Sequence, residues 1–357
     1  MIAPGGTIGI LGGGQLGRML AMAAAQLGYR CHIYAPDRES VAAEVAGEFT
    51  CAPWLDQTAL AEFAAGCDVV TFEFENVPVA PLAAMAAKLV PHSRALEIAQ
   101  DRLHEKGFAE EHGGKPAPYA PVHSAEDLAA AIDRIGAPGI LKTRADGYDG
   151  KGQWRINSAR DADAIRLPDA GTIYEGLVHF TAEFSVILVR GRDGEIRFWD
   201  SAENVHHHGI LAKSSVPASA QIMDQLPQAR TLAAAIAGAL GYVGVLTCEF
   251  FATDAGPVFN EMAPRVHNSG HWTIEGAATG QFENHIRAIC GLPLGSTETT
   301  APEVTMTNIV GPDALTAYEV LGDPAAHLHL YGKREAREGR KMGHVTWLGS
   351  GPGSGPK

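Results

Sequence analysis

The stretch Val243–Glu261 restricts the fold of this chain more than any other. Two apolar runs, Val243–Phe251 and Pro257–Glu261, flank Thr253-Asp254-Ala255-Gly256, a turn signal between two strands. A turn centred on Ala255 sets Glu249 opposite Glu261 on one face of an antiparallel pair, with Cβ atoms about 4.5–5.5 Å apart. Two carboxylates at that spacing repel, so the hairpin calls for a cation. Hard oxygen ligands select Mg²⁺, with Mn²⁺ as the alternative ion. Asn260 falls on the other face of a regular strand and joins the ligands only if the strand is bulged there. Directly downstream, Arg265 can grip a planar oxyanion in bidentate fashion and His267 can exchange a proton near neutral pH. The plainer alternative is a capped loop before a helix over Trp272–Thr279.

A chain of 357 residues is too long for one ordinary core and suggests two or three domains. Its 46% hydrophobic and 19% charged residues are those of a globular protein. No apolar run reaches membrane-spanning length and the N-terminus lacks the regions of a signal peptide, so no membrane partner and a cytoplasmic location are expected. Five cysteines, at 31, 51, 67, 248 and 290, form no C-x-x-C pair and fit a reducing compartment. A formal charge of −13 disfavours nucleic acid as a partner and makes any local basic cluster informative.

Thr7–Gly17 reads as a buried strand entering a glycine turn, followed by a helix over Arg18–Gly28 and a strand over Arg30–Tyr34. Gly12, Gly14 and Gly17 match the dinucleotide fingerprint, and Asp37 stands at the distance of a ribose contact. That makes a nicotinamide oxidoreductase one reading. The same turn also forms wherever an anion sits at a helix N-terminus, with Gln15 and Leu16 offering backbone N–H groups to a phosphate. Gln57–Ala65 is helical and Cys67–Phe72 an apolar strand. Glu73 follows at the carboxyl edge of that strand, where open α/β sheets bind ligands. A helix is expected over Pro81–Leu89.

Residues 94–112 read as one helix, with Arg102 and Lys106 a turn apart on one face. After a Pro/Gly-rich linker and a helix over Asp127–Ile135, a strand over Gly139–Lys142 leads into Lys142–Gln153. There Gly147, Gly150 and Gly152 let backbone approach a polyanion, while Lys142 and Lys151 supply point charges. A Gly-rich hairpin with solvated lysines is the alternative. Thr172–Val178, Thr181–Val189 and Glu195–Trp199 read as strands carrying Glu175 and Glu183. His206-His207-His208 cannot all face one ion from an extended backbone, so at most His206 meets a ligand.

Strands over Val304–Val310, His327–Leu330 and Gly343–Leu348 suggest a small β-rich unit. Within it Lys333, Arg334, Arg337, Arg340 and Lys341 form a basic knot in an acidic chain. The units expected are an N-terminal Rossmann-like βαβ domain (1–100) and a central domain (101–295). The central domain divides into a glycine-loop lobe (about 115–200) and a metal-site lobe (about 201–295). A C-terminal β-rich domain (296–348) and a flexible tail (349–357) follow. No G-x-x-x-x-G-K-[ST] motif and no kinase catalytic loop occur.

This combination resembles the ATP-grasp superfamily, an α/β and α+β multidomain architecture that holds Mg-ATP between two lobes and activates an acid as an acyl phosphate. Gly12–Met19, Lys142–Gln153, Asn204–Leu211, Asn260–Thr273 and Tyr331–Val345 resemble one of its families, 5-(carboxyamino)imidazole ribonucleotide synthase of purine biosynthesis. The likeness departs at Ala145-Asp146, where that family often has glycine. It implies carboxylation of 5-aminoimidazole ribonucleotide by bicarbonate and ATP through carboxyphosphate, giving the N-carboxylated product, ADP and phosphate. A homodimer is expected only as the common default among oligomers. Other ATP-grasp ligases, such as a formate-dependent glycinamide ribonucleotide transformylase, and a non-catalytic nucleotide sensor are the competing readings.

Carried over by position, the resemblance implies ATP contacts from Arg102, Lys142, Gly147, Tyr148, Asp149, Gly150, Lys151, Gly152 and Gln153. Further ATP contacts fall to Glu175, Gly176, Leu177, Val178, Glu183 and His206. Mg²⁺ falls to Glu249 and Glu261 with Asn260 beside them, and Asn260 and Glu261 also border the ATP. Carboxyphosphate meets Lys151, Arg265 and His267. Tyr148 and Asp149 meet the substrate amine, with Asp149 accepting the proton. The ribonucleotide lies against Gln15, Leu16, Asn268, Lys333 and Arg340, with Glu73 on its ribose or ring.

Overall fold

The structure, a computed structural model, describes residues 1–145, 152–162, 165–169 and 171–349. The first unit alternates β1 (Thr7–Leu11), α1 (Gln15–Gln26), β2 (Arg30–Ala35), β3 (Glu48–Cys51), α2 (Gln57–Ala65) and β4 (Val69–Phe72). Its four strands are parallel in the order β3-β2-β1-β4. Short glycine turns and apolar strands favour this arrangement, because a parallel pair needs a crossover connection and buries both faces.

The segment expected as one helix over 94–112 is two, α3 (Arg94–Ala99) and α4 (Arg102–Glu111). Asp101 breaks it, since its extended backbone and a carboxylate accepting from the N–H groups of Leu103 and His104 start a new helix. Next come β5 (Tyr119–Val122), α5 (Ala125–Ile135), β6 (Gly139–Thr143), β7 (Gln153–Ile156), α6 (Ala159–Ala162) and β8 (Thr172–Gly176). These strands form an antiparallel sheet ordered β5-β8-β6-β7.

The largest sheet starts with β9 (Ala182–Arg190), β10 (Ile196–Phe198), β11 (Ala202–His207) and β12 (Ile210–Val216). After α7 (Ala220–Ala239) it continues with β13 (Gly244–Thr253) and β14 (Gly256–Ala263). The helices α8 (Thr273–Gly276) and α9 (Gln281–Cys290) precede β15 (Val304–Val310), β16 (Ala326–Leu330) and β17 (Lys341–Leu348). The order is β14-β13-β9-β11-β12-β15-β17-β16, with β10 on β9, so the C-terminal strands extend the central sheet through β12–β15.

Along β9, Phe184, Val186 and Leu188 face one core under α7, whereas Ile187 and Val189 face a second core shared with α9 and α1. The strand therefore reads as an unbroken apolar run, as expected of a sheet buried on both faces. The packing of α1 against α9 joins the N-terminal unit to the central one through a continuous apolar core.

Three other expectations change. Pro81–Leu89 is a 3₁₀ stretch over Ala80–Met85, and Trp272–Thr279 gives only the single turn α8. The long α7 has no counterpart in the sequence reading because Pro227 lies inside it.

Candidate active site

The hairpin β13–β14 pairs Thr253 with Gly256, so its loop is Asp254-Ala255 and the turn is not centred on Ala255. With that turn alone, Asn260 would face Glu249. A register shift at Asn260 adds one unpaired residue, and Glu261 comes to lie opposite Glu249. The pairing deduced from the sequence is present, but the bulge produces it. Each carboxylate also has a cationic or polar partner from the chain itself. Glu261 Oε2 lies 3.1 Å from Arg102 Nη1, and Glu249 Oε1 lies 3.0 Å from His267 Nε2.

The two acids differ in environment. Glu249 keeps 13% of its side chain exposed, and burial, then the charge of Glu261, pushes its carboxyl up to about 8. Glu261 keeps 42% exposed; burial opposes its ionisation, but Arg102, then Lys142, hold it below the ordinary carboxylate value. His267 is pushed well down by burial and by Arg265 and Lys341, so it is neutral. Its Nδ1 accepts from the Ser269 N–H at 3.3 Å, which leaves the hydrogen on Nε2, aimed at Glu249. Behind it, Ser269 Oγ meets Ser185 Oγ at 2.8 Å, and Asn204 Nδ2 donates to Ser185 Oγ at 2.7 Å. This buried network fixes the ring. Among the described residues no three His, Cys, Asp or Glu side chains are arranged to hold a metal by themselves. A hard ion here would rest on two carboxylates, the nearby Asn260 and oxygens from outside the protein. The open Glu261 carboxylate fits that role.

Beside the acids lies a layer of buried ions. Lys142 on β6 and Glu175 on β8 sit diagonally across their strand pair, with Lys142 Nζ 2.9 Å from Glu175 Oε2. Lys106 Nζ approaches the same oxygen at 3.3 Å. Burial opposes the Glu175 charge, but Lys142 and then Lys106 bring its carboxyl down to about 2. Burial pulls Lys142 below the ordinary amine range although Glu175 resists. Gly176 and Leu177 spend their N–H groups on the carbonyls of Pro118 and Pro138, so those two donors are not available to the ATP contacts that the resemblance implies at 175–178. On the large sheet, His206 Nδ1 lies 2.9 Å from Glu183 Oε2, while His207 and His208 are exposed.

In the first unit, Glu73 is buried and accepts the Gly14 N–H at 2.7 Å. A Cβ on Gly12, whose φ is +122°, would sit 2.5 Å from Glu73 Oε1. The fingerprint glycines thus make room for a carboxylate at the N-terminus of α1, which counts against the nicotinamide reading. Asp37, exposed, accepts the Glu39 N–H. Leu16 is core, so only its backbone can face a ligand. Burial raises Glu73 against the opposing pull of the Gly14 N–H and the charges of Arg265 and Lys333.

Arg265 Nη2 reaches Glu75 Oε2 at 2.5 Å, tying the loop after β14 to the first unit. Both carboxamide atoms of Asn268 are buried and have no hydrogen-bond partner among the described residues. Lys333 and Arg340 line a cavity of about 270 Å³ with Arg38, Ser40 and Glu44, so the basic knot closes over the loop that follows β2. Lys333 Nζ donates to the Lys341 carbonyl and Arg340 Nη1 to that of Glu335.

Two contributors escape the sequence reading. Lys341, assigned there only to the basic knot, acts electrostatically on Glu249, His206 and His267. Glu105 completes the polar face of α4 and accepts the Met262 N–H at 2.6 Å. Burial, then Glu261, pushes its carboxyl up to about 8. Its spacing from Arg102 and Lys106 is the available signal. Gly147, Tyr148, Asp149, Gly150 and Lys151, with Asp146, lie outside the described residues; Gly152 is the turn residue just before β7, which Gln153 begins.

Three family models match the chain. They are the ribonucleotide synthetase preATP-grasp domain over residues 6–100, the ATP-grasp domain over 107–282, and the phosphoribosylaminoimidazole carboxylase C-terminal domain over 304–353. The N5-carboxyaminoimidazole ribonucleotide synthase of Brucella melitensis is 50% identical over 352 residues, covering 97% of each chain. A crystal structure of N5-carboxyaminoimidazole ribonucleotide synthetase from Thermus thermophilus superposes with a TM-score of 0.89 at 46% identity, covering 96% of this chain and 94% of the other. An Aspergillus clavatus N5-carboxyaminoimidazole synthase, solved with ADP and 5-aminoimidazole ribonucleotide, gives 0.89 at 32% identity and covers 97% and 94%. With such identity along nearly its whole length, and with the pre-ATP-grasp, ATP-grasp and C-terminal domains in order, this chain belongs to the N5-carboxyaminoimidazole ribonucleotide synthase family.

Proposed function

We infer that the chain is an ATP-dependent ligase that carboxylates the amine of 5-aminoimidazole ribonucleotide, forming N5-carboxyaminoimidazole ribonucleotide in purine biosynthesis. The observation that carries this is the full-length likeness to the synthase of Brucella melitensis, joined to a relative that holds ADP and the aminoimidazole ribonucleotide. ATP and the ribonucleotide are its small-molecule ligands, and bicarbonate is the carbon source.

The site supports a division of labour. Lys142 and Arg102 face the nucleotide phosphates, and Glu175–Val178, Glu183 and His206 border its base and ribose. Glu249, Glu261 and Asn260 are the oxygen donors suited to Mg²⁺, which when bound would neutralise triphosphate charge. Bicarbonate attacks the γ-phosphorus while the fixed cations stabilise charge spreading over the equatorial oxygens, so these residues act by position and field. Arg265, held by Glu75, presents its guanidinium to the carboxyphosphate, and neutral His267 offers a polar group that adds no charge. Tyr148, Asp149 and Lys151 take the roles implied by the resemblance, with Asp149 accepting the amine proton. Glu73, Asn268, Lys333, Arg340 and the N–H groups of Gln15 and Leu16 surround the ribonucleotide.

The same reading includes unit limits near residues 100 and 295, a homodimer and a cytoplasmic location. All five cysteines are unpaired, as in a reducing compartment. No helix among the described residues is long and apolar enough to cross a membrane.

The test is ADP formation by the purified protein with ATP and Mg²⁺, adding bicarbonate and aminoimidazole ribonucleotide together or singly. ADP release that depends on the ribonucleotide, with a carboxylated product, is expected. Release indifferent to it, or none with every substrate present, overturns the assignment.

A further inference from the structure

The polar face of α4 meets β14 at the Asn260 bulge. Arg102, Glu105 and Lys106 are spaced i, i+3 and i+4, so they project from one side of the helix. All three converge on Glu261 and the two peptides that flank it. Arg102 Nη1 reaches the Glu261 carboxylate at 3.1 Å. Lys106 Nζ donates to the Asn260 carbonyl at 3.1 Å, on the peptide before Glu261. Glu105 Oε1 accepts from the Met262 N–H at 2.6 Å, on the peptide after it. Glu105 is 3% exposed and Lys106 1%.

These contacts answer a problem of the edge strand. β14 ends the large sheet; on its outer edge Lys115 accepts the Phe259 N–H, but among the described residues no strand pairs the outward groups of Asn260 and Met262 at the bulge. An acceptor and a donor from α4 stand in for that strand, and they do so on the two peptide planes that fix the Cα–Cβ direction of Glu261. We propose that Glu105 and Lys106 are positioning residues that hold Glu261 in the orientation needed for the divalent ion. Lys106 also touches Glu175 at 3.3 Å, so the same ammonium links the metal-site hairpin to the strand that borders the nucleotide. The inference rests on Glu261 being a metal ligand.

The experiment is calorimetric titration of the full-length protein with ADP, with and without Mg²⁺, and with Mg²⁺ varied at fixed ADP. Glu105→Met, Lys106→Met, Glu105→Gln and Glu261→Gln are compared with the wild type. Glu105→Met is expected to raise the Mg²⁺ midpoint about tenfold or more, as loss of a ligand's supporting partner does, while ADP binding without Mg²⁺ stays near wild type. Glu105→Gln keeps an acceptor oxygen for Met262 and is expected to restore most of the Mg²⁺ response. Lys106→Met should raise the Mg²⁺ midpoint similarly and also weaken metal-free ADP binding through Glu175, and it carries the test if Glu105→Met does not fold. A wild-type midpoint in either methionine variant overturns the proposal. So does a Glu105→Met variant that loses metal-free ADP binding equally, or a Glu105→Gln variant as damaged as Glu105→Met. Glu261→Gln separates the underlying reading: if it keeps the full Mg²⁺ response, Glu261 is not a metal ligand, whatever the other variants do.

Discussion

Lys333 and Glu73 illustrate how single side chains share the work around the proposed ribonucleotide site. Glu73 is locked by the Gly14 N–H and feels the charges of Arg265 and Lys333, whereas Lys333 is anchored to the Lys341 carbonyl and lines a basic cavity. An ammonium held against a phosphate by a charge-assisted bond contributes about 1.5–3 kcal/mol. Lys333→Ala is therefore expected to raise the KM for aminoimidazole ribonucleotide roughly 10–100-fold and to leave the KM for ATP nearly unchanged. Steady-state kinetics with each substrate varied checks this, and an unaltered ribonucleotide KM removes Lys333 from the phosphate site. Residue chemistry of this kind is legible in the sequence, since a basic knot in a chain of charge −13 asks for an anion. The partner of each group is not legible. The sequence presents Glu249 and Glu261 as bare carboxylates, yet His267 and Arg102 lie against them, Arg102 across a large sequence separation.

At the scale of elements, α4 depends on Asp101. Its carboxylate caps the helix at the Leu103 and His104 N–H groups and pairs with Arg144. Burial opposes its ionisation, but the bonds from Arg144 and Leu103 hold its pKa below the ordinary value. Asp101→Ala loses both contacts and is expected to destabilise the protein by about 1–2 kcal/mol, whereas Asp101→Asn keeps a good cap and loses less. Urea unfolding of the two variants measures the difference; equal losses would mean that the charge pair, not the cap, carries the effect. The hairpin shows a different dependence. Its apolar runs and turn residues announce two paired strands, but the register at Glu261 follows from a bulge at Asn260 that no local signal encodes. The bulge is matched by Lys106 and Glu105, more than 150 positions away in the chain.

At the scale of the whole molecule, His285 links the units. Its Nδ1 accepts the Val245 N–H at 3.1 Å and its Nε2 faces Thr71 Oγ1 at 2.9 Å, joining the large sheet to β4. Burial lowers its pKa from 6.5 to about 4, so the folded protein holds it neutral where the unfolded chain would protonate it. The stabilisation is thus complete above pH 6.5 and is lost as pH falls toward 4, by roughly 2–3 kcal/mol at pH 4.5. His285→Gln should lower stability at neutral pH yet flatten the pH 7.5-to-4.5 decline by that amount in urea titrations. An undiminished decline would place the acid sensitivity in other buried histidines. The sequence by itself determined the parallel βαβ start, the strand-rich middle and end, and the residue types of the site, because periodicity, turn chemistry and charge are local properties. Only the tertiary structure decided that the C-terminal strands extend the central sheet, that the fingerprint glycines accommodate Glu73, and which cation faces each acid. Those outcomes depend on contacts between distant segments, whose free energies exist only once the chain has closed on itself.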